Sequence, residues 1–398
     1  MEIQALYLPL SRMPVFFLDL VVFQAVALLL AVYVSWRILP RLPVPPWLKW
    51  LLAALILAAS QHHRIVALYW GTRASPEIPA EWIMTLGWAF GAILLAACLL
   101  LILDVVSIAL WLVKRPAGRR CLQAGKPRAA LGVIALALSG LGVWQAVRVP
   151  DVKNIEVQLT GLPAQLDGFT LVQLTDLHAS RLLQGERMRA IVDKTNALAP
   201  DLIVITGDLV DGNVRDRLGD VAPLQDLAAP HGVFVVAGNH EYYANYVQWM
   251  AHFRALGLQP LLNEHRLIER DNAAFALAGI TDATAVQHGQ PRPDAHAALA
   301  GIPKSMPVVL LSHRPTDAAR NAAAGADLQL SGHTHGGQVI GLHKIVQMAN
   351  EGYVSGFYSV GAMQLYVSNG AGLWAGFPLR VGRPSEITRI TLRRPPQP

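Results

Sequence analysis

Long apolar stretches dominate the first 150 residues of the chain, whereas only short apolar runs follow them. Residues 16–39, 82–113 and 129–147 are each long enough to span a lipid bilayer as a helix. Residues 47–70 are a weaker candidate, because polar residues at 61–64 follow the apolar core of that stretch. We therefore predict a transmembrane region of about four helices within residues 1–150, with three helices as the alternative.

The distribution of charge predicts how these helices are oriented. Residues 1–150 carry 13 Lys and Arg against 5 Asp and Glu, so the basic excess lies in the hydrophobic half. The segment 114–128 contains six basic residues and no acidic residue, which places it in the cytoplasm by the positive-inside rule. The last helix then runs outward. We predict a multi-pass protein of the cell (inner) membrane whose second domain, residues 151–398, is extracytoplasmic.

Residues 151–398 show a different pattern, in which short runs rich in Val, Ile and Leu alternate with helical periodicity. This alternation indicates an α/β domain. Helices are predicted over 184–198, 218–229 and 245–257, and residues 282–305 are predicted to form a loop or a lid. The predicted strands cover 154–159, 169–174, 202–205, 233–236, 266–270, 274–279, 308–311, 326–330, 365–368 and 387–392.

Side chains that can bind metal ions follow five of these strands. Ligand sites in α/β sheets lie beyond the carboxyl ends of the strands, so we expect these side chains to lie close together. In chain order the five strand ends carry Asp176 and His178, then Asp208, then Asn239 and His240, then His313, and finally His333 and His335.

The donor atoms of this set are carboxylate and amide oxygens and imidazole nitrogens. Thiolates are excluded because both cysteines lie before residue 151. Such a set favours Mn, Fe or Zn ions. Eight groups exceed what one ion needs, and they fit two divalent metal ions that share one carboxylate. Each residue taken singly has another explanation, since Asp also caps helices, Asn also occurs in turns, and His also occurs in cores.

The same residues stand in five short motifs: Asp176-x-His178, Gly207-Asp208, Gly238-Asn239-His240-Glu241, His313 and Gly332-His333-x-His335. In order and spacing the motifs resemble the signature of the calcineurin-like metallophosphoesterases. The segments 336–338, 366–370 and 378–380 are similar to the membrane-associated bacterial branch of that family, which includes the YkuE- and YaeI-like phosphodiesterases. The resemblance implies that residues 151–398 form a two-sheet β-sandwich flanked by helices.

The resemblance also implies a role for each residue of the site. Asp208 would bridge two metal ions, and His240 would donate to the phosphate or to the leaving oxygen without binding metal. One ion would be held by Asp176, His178, Asp208 and His335, and the other by Asp208, Asn239, His313 and His333. Two ions about 3.5–4 Å apart lower the pKa of a bridging water, and the resulting hydroxide would attack phosphorus in line with the leaving group.

We expect a metal-dependent phosphohydrolase, with phosphodiesters favoured over monoesters by the resemblance. The predicted tethering to a membrane favours a lipid-linked or envelope-linked phosphoester as the substrate. A second hypothesis is a membrane sensor or transporter whose domain binds metal without catalysis. A nuclease is a third, but residues 151–398 carry 20 basic and 22 acidic residues, so no nucleic-acid partner is expected.

Overall fold

The computed structural model describes residues 15–72, 74–113, 118 and 124–395, with only the backbone described for residues 15–21. The chain divides into two compact units, residues 1–143 and 144–398. We call them the helical unit and the sandwich unit. Most of the basic segment 114–128 lies outside the described residues, so its predicted cytoplasmic position stays a prediction.

Long helices make up the described part of the first 147 residues. They are α1 (Val15–Ile38), α2 (Pro46–Ser60), α3 (His62–Tyr69), α4 (Ala80–Leu112) and α5 (Lys126–Val147). Among the residues described, three helices are long and apolar enough to cross a membrane, namely Val22–Arg41, α4 and α5. Helices α2 and α3 are bent by 60° against each other and add a fourth span only if the pair is one broken span. The weaker candidate over 47–70 thus consists of two helices with a bend between them, and the counts of four and of three spans both stay predictions.

An acidic side chain within the helical unit has basic partners. Asp104 of α4 accepts hydrogen bonds from Arg37 Nε at 2.7 Å and from Tyr33 Oη at 2.8 Å. Arg128 Nη2 lies 3.4 Å from the same carboxylate. Charged side chains at membrane depth are costly unless they are paired. These contacts therefore join α1, α4 and α5 through one carboxylate.

Strands and shorter helices make up the sandwich unit. The strands are β1 (Asp151–Gln158), β2 (Thr170–Leu174), β3 (Leu202–Thr206), β4 (Val233–Val236), β5 (Gln259–Pro260), β6 (Glu264–Arg270), β7 (Ala273–Gly279), β8 (Val308–Leu311), β9 (Leu328–Ser331), β10 (Gly356–Val360), β11 (Met363–Val367) and β12 (Glu386–Arg393). The helices are α6 (Gly185–Asn196), α7 (Val214–Val221), α8 (Asn239–Tyr243), α9 (Tyr246–Ala255), α10 (Ala295–Ala298), α11 (Ala318–Ala324) and α12 (His343–Ala349).

The described strands pair into two mixed sheets of six strands each. The first sheet has the order β1-β12-β2-β3-β4-β5, and the second has the order β10-β11-β9-β8-β7-β6. Alternation along β3 explains how the layers pack, because successive side chains of a strand point to opposite faces. Leu202 and Val204 belong to the apolar core between the sheets, whereas Ile203 and Ile205 pack under the helices. The predicted α/β domain, a two-sheet sandwich flanked by helices, is confirmed.

Some predicted elements differ from the observed ones. The helix predicted over 218–229 is instead α7, which ends at Val221, followed by a 3-10 helix at Ala222–Asp226. Residues 282–305 contain a 3-10 helix at Ala283–His288 together with α10, so the segment is ordered in short turns. Strand β10 was absent from the prediction, because its side chains are mostly half-buried or exposed and its apolar pattern is weak.

Strand direction is what assembles the strand ends. Strands β2, β3 and β4 are parallel neighbours in the first sheet, and β8 and β9 are parallel neighbours in the second. The carboxyl ends of parallel strands meet at the same edge of a sheet. The loops after these five strands therefore lie together at one end of the sandwich unit.

Candidate metal centre

All eight predicted site residues lie in or directly after the loops that follow β2, β3, β4, β8 and β9. Six of the side chains are buried, and His240 and His333 are half-buried. Five of the residues have a left-handed backbone, with φ values of 53° at Asp176, 47° at His178, 54° at Asp208, 68° at His333 and 50° at His335. Residues other than glycine rarely adopt this conformation, and strained backbone of this kind concentrates at functional sites.

A first cluster consists of Asp176, His178 and His335, each with a donor atom within 4.8 Å of the others. His178 Nε2 lies 3.3 Å from His335 Nε2, which lies 3.6 Å from Asp176 Oδ1. His178 Nδ1 donates a hydrogen bond to Asp211 Oδ1 at 3.0 Å. A neutral His178 with its proton on Nδ1 carries a lone pair on Nε2, so this lone pair points into the cluster.

A second cluster consists of Asp208, His313 and His333. His313 Nδ1 donates to the carbonyl oxygen of Thr206 at 2.8 Å, and a carbonyl oxygen can only accept. The Nε2 atom of His313 faces Asp208 Oδ2 at 3.2 Å and Asn239 Oδ1 at 3.1 Å. Burial lowers the pKa of His313, but the charge of Asp208 outweighs burial and raises the pKa to about 10, so Nε2 carries a proton in the metal-free protein. A metal ion in place of this proton would meet an imidazole nitrogen, a carboxylate oxygen and an amide oxygen, which is a donor set that fits a divalent ion.

Asp208, a member of the second cluster, also faces the first cluster. Its Oδ2 atom is 3.2 Å from His313 Nε2 and 3.7 Å from His178 Nε2. Burial alone raises the pKa of Asp208, but the charges of His313 and His240 outweigh burial and hold the pKa well below its usual value. Asp208 is therefore ionised in the metal-free protein, which is the form that a metal ion requires.

His240 is held at the edge of the centre by a residue that sequence analysis did not single out. Its Nδ1 atom donates to Asp211 Oδ1, and its Nε2 atom lies 3.9 Å from Asp208 Oδ2. Burial lowers the pKa of His240, but the charges of Asp208 and Asp211 outweigh burial and raise the pKa to about 9. Asp211 accepts from both His178 and His240 and so orients both rings.

Glu241 supports the loop that carries Asp208. This buried carboxylate accepts hydrogen bonds from three backbone N–H groups: Gly238 at 2.7 Å, Asp208 at 3.1 Å and Leu209 at 2.7 Å. The contact with Gly238 is half of a capping box at the start of α8. The spacing of Gly238 and Glu241 in the sequence is typical of a capping box. It does not indicate that Glu241 also holds the loop that carries Asp208.

Arg314 borders the second cluster. Its Nη1 atom lies 3.1 Å from His333 Nε2, and its Nε atom donates to Asp282 Oδ2 at 2.8 Å. Burial and the charge of Arg314 hold the pKa of His333 well below its usual value, so this imidazole is neutral and able to bind metal. Arg314 follows His313 in the chain, but the sequence around it does not predict its contact with His333.

The comparisons with known proteins point to one family. Residues 169–337 match the family described as calcineurin-like phosphoesterase. The chain is 34% identical over 327 residues to a Bos taurus transmembrane protein with metallophosphoesterase domain. The aligned region covers 77% of this chain and 72% of that protein. It is 33% identical to a metallophosphoesterase of Campylobacter jejuni, over 66% of this chain and 69% of that protein. It is 30% identical to the metallophosphoesterase YkuE of Bacillus subtilis, over 58% of this chain and 82% of that protein.

The chain belongs to the calcineurin-like metallophosphoesterases. It is a membrane-associated metallophosphoesterase, that is, a metal-dependent hydrolase of phosphoric esters. The predictions of family and enzyme class are confirmed. The structure brings the eight predicted site residues together, and it adds Asp211, Glu241 and Arg314 around them. The individual roles of all these residues, and the number of metal ions, remain predictions.

Proposed function

We propose that the sandwich unit is a phosphodiesterase with a dinuclear metal centre. The observation that carries the proposal is the pair of donor clusters that Asp208 connects. In this proposal Asp208 would be a ligand shared by the two ions. One ion would be held by Asp176, His178, Asp208 and His335, and the other by Asp208, Asn239, His313 and His333. The geometry supports this division, since the members of the first cluster all belong to the first set and those of the second cluster all belong to the second set.

Bound divalent ions would supply an activated water nucleophile and neutralise charge on the phosphoryl oxygens. The chain's own residues prepare the rest of the reaction. Asp211 accepts the Nδ1–H of His240, so the proton that His240 can give to a leaving oxygen is on Nε2. Glu241 holds the Asp208 loop through backbone contacts. The two functions explain why both carboxylates are buried beside the centre.

We further propose that the substrate is a lipid-linked or envelope-linked phosphodiester. The support is location: the sandwich unit follows directly after an apolar helix, α5, that is long enough to cross a membrane. With the basic segment 114–128 in the cytoplasm, the protein is a multi-pass protein of the inner membrane and its sandwich unit is extracytoplasmic. Labelling of a cysteine introduced at an exposed position of the sandwich unit, in a chain whose Cys98 and Cys121 are replaced by Ser, tests this orientation in intact cells. Protection of that cysteine from a membrane-impermeant reagent would contradict it.

The variant Asp208→Asn tests the dinuclear mechanism. We expect loss of bound metal by elemental analysis and loss of bis-p-nitrophenyl phosphate hydrolysis by the full chain in detergent, because a neutral amide cannot bridge two cations. Asp271→Asn is the matched control, since Asp271 is exposed and lies in the turn between β6 and β7. Near-normal hydrolysis by Asp208→Asn would refute the mechanism. Metal binding without turnover by the wild-type protein would instead support a metal-binding sensor or transporter.

A panel of substrates tests the preference for lipid-linked phosphodiesters. We expect the full chain to hydrolyse phospholipid and nucleotide-lipid diesters in mixed micelles faster than soluble nucleotides. Activity on soluble nucleotides alone would contradict the proposed substrate class and leave the phosphodiesterase assignment intact.

A further inference from the structure

A polar cavity adjoins the candidate metal centre. Its volume is about 350 Å³, which lies in the range of small-molecule sites. One wall comes from the segment 280–296 and the other from the segment 312–321, just after β8. The ordered segment 282–305 thus contributes to a cavity beside the centre, through its first half.

Arg314 connects the cavity to the metal centre. It lines the cavity, and its three donor nitrogens contact Asp282 at 2.8 Å, Thr284 Oγ1 at 3.2 Å and His333 Nε2 at 3.1 Å. A guanidinium held at three points keeps a defined orientation. The cavity is thus one side chain away from the centre, within reach of a substituent of a phosphodiester whose phosphorus lies at the centre.

The charges of the lining indicate what kind of substituent fits. Three arginines and three aspartates face the cavity and balance each other. They are Arg292, Arg314 and Arg320, and Asp282, Asp294 and Asp317. A balanced lining does not favour a further anionic group over a neutral one.

The acids of the lining are already engaged. Asp282 accepts from Arg314 and from the Thr284 backbone at 2.8 Å. Asp294 accepts from the backbone of Ala297 at 3.0 Å as a helix cap, and Asp317 lies 3.3 Å from Arg320. An ammonium group at Asp282 or Asp317 would therefore compete with an arginine for the carboxylate. Hydroxyl groups can both donate and accept, so they can join such a lining without displacing its ion pairs.

We propose that this cavity binds a neutral, hydroxyl-rich substituent of the phosphodiester, such as a glycerol or sugar head group. The proposal rests on the phosphodiesterase function and specifies its substrate class. Arg314 is a positioning residue in this proposal, because it orients the diester between the centre and the cavity. The lipid part of the substrate would then lie on the other side of the phosphorus.

Ala283→Trp tests the proposal by filling the cavity. Ala283 lines the cavity and is exposed, so an indole there occupies the space without replacing any site residue. Val286→Trp is the matched control, because Val286 lies on the same 3-10 helix, is 60% exposed and does not line the cavity. Both variants and the wild-type full chain are assayed in detergent with Mn²⁺, on the p-nitrophenyl phosphodiesters of glycerol and of methanol.

We expect the wild-type protein to have a lower KM for the glycerol diester than for the methyl diester. Ala283→Trp should raise the KM of the glycerol diester about tenfold, as expected for the loss of one or two net hydrogen bonds, and leave kcat and the methyl diester unchanged. Val286→Trp should change neither. Equal effects of Ala283→Trp on both diesters, or no effect on either, would overturn the proposal while the phosphodiesterase function stands.

A binding measurement separates this inference from the proposed function. If the wild-type protein hydrolyses no phosphodiester with Mn, Fe or Zn, the proposed function fails. Isothermal titration of the metal-free protein with glycerophosphoglycerol then decides the cavity alone. Weaker binding to Ala283→Trp than to Val286→Trp supports a hydroxyl-binding cavity, and equal binding to both variants overturns it.

Discussion

The carboxylate of Glu241 provides a sharp test of how the candidate centre is held together. The variant Glu241→Gln keeps the shape of the side chain but replaces one carboxylate oxygen by an amide NH₂ group. In the better of the two amide orientations the remaining oxygen still accepts from Gly238 and Asp208, which share Oε2. The NH₂ group then faces the backbone N–H of Leu209, which has Oε1 as its acceptor in the wild-type protein.

The expected loss of stability follows from these three contacts. At pH 5 Glu241 is protonated in the folded wild-type protein, because burial and the charge of Asp208 raise its pKa to about 7. The two hydrogen bonds to Oε2 then have a neutral acceptor in both proteins, so the difference is the backbone N–H of Leu209, which loses its acceptor at a cost of about 1–3 kcal/mol. A domain of this size shifts its melting temperature by about 2–4 °C per kcal/mol, so the midpoint should fall by about 2 °C or more.

Thermal unfolding of the full chain in detergent, followed by near-UV circular dichroism, measures this shift. The assay is run at pH 5, because at higher pH the ionisation of Glu241 destabilises the folded wild-type protein, and the neutral amide of the variant does not bear this cost. Glu264→Gln is the control, because Glu264 is 41% exposed and contacts Arg266 at 3.2 Å. Its midpoint should stay close to that of the wild-type protein, as for most exposed ion pairs. Equal midpoints for the two variants would refute the role assigned to Glu241.

Three further predictions concern other contacts. In the metal-free protein Asp211→Asn should lower the pKa of His240 from about 9, because one of the two carboxylates that stabilise the imidazolium is lost. NMR titration of the ring nitrogens of His240 measures this pKa, and an unchanged value would contradict the prediction. Gly238→Ala should destabilise the sandwich unit by about 1–3 kcal/mol, because the new Cβ would lie 2.2 Å from Asp208 Oδ1, whereas Gly219→Ala, with no atom within 4 Å, should not destabilise it. Asp104→Asn should lower the melting temperature of the full chain, because two arginines would lose the carboxylate that they share in a partly buried site. Lys49→Gln is the control, since Lys49 Nζ donates to the Pro40 carbonyl in an exposed hydrogen bond. A midpoint equal to that of the control would show that the Asp104 contacts are dispensable.

The family motifs made the centre predictable from the sequence to an unusual degree. The strands that precede Asp176, Asp208, Asn239, His313 and His333 are short, continuous apolar runs, as expected for strands buried on both faces. Each run is followed by a residue type that can bind metal. The edge of the sheets at which these residues meet then follows from the direction of the strands. Weak periodicity explains the misses, such as β10 and the break between α2 and α3.

Residues that orient or stabilise the metal-binding side chains were harder to predict from the sequence than those side chains themselves. Asp211 stands three positions after Asp208 and has no motif of its own in the prediction, yet it orients both His178 and His240. The acid Asp104 is visible inside an apolar stretch, but its partners Arg37 and Arg128 are 67 and 24 residues away in the chain. Local patterns cannot pair residues at such separations, because the pairing depends on how helices pack.

The sequence by itself determined the family, the α/β class of the second domain and the types of side chain that can bind metal, because these follow from local apolar runs and from motif spacing. Tertiary structure decided which groups surround those side chains. The packing of the two sheets places Thr206 behind His313, whereas the pairing of neighbouring strands within a sheet places Glu241 beneath Asp208 and Arg314 beside His333. Each contact joins residues that follow or end different strands, so its physical origin is the arrangement of the strands rather than any single segment of the chain.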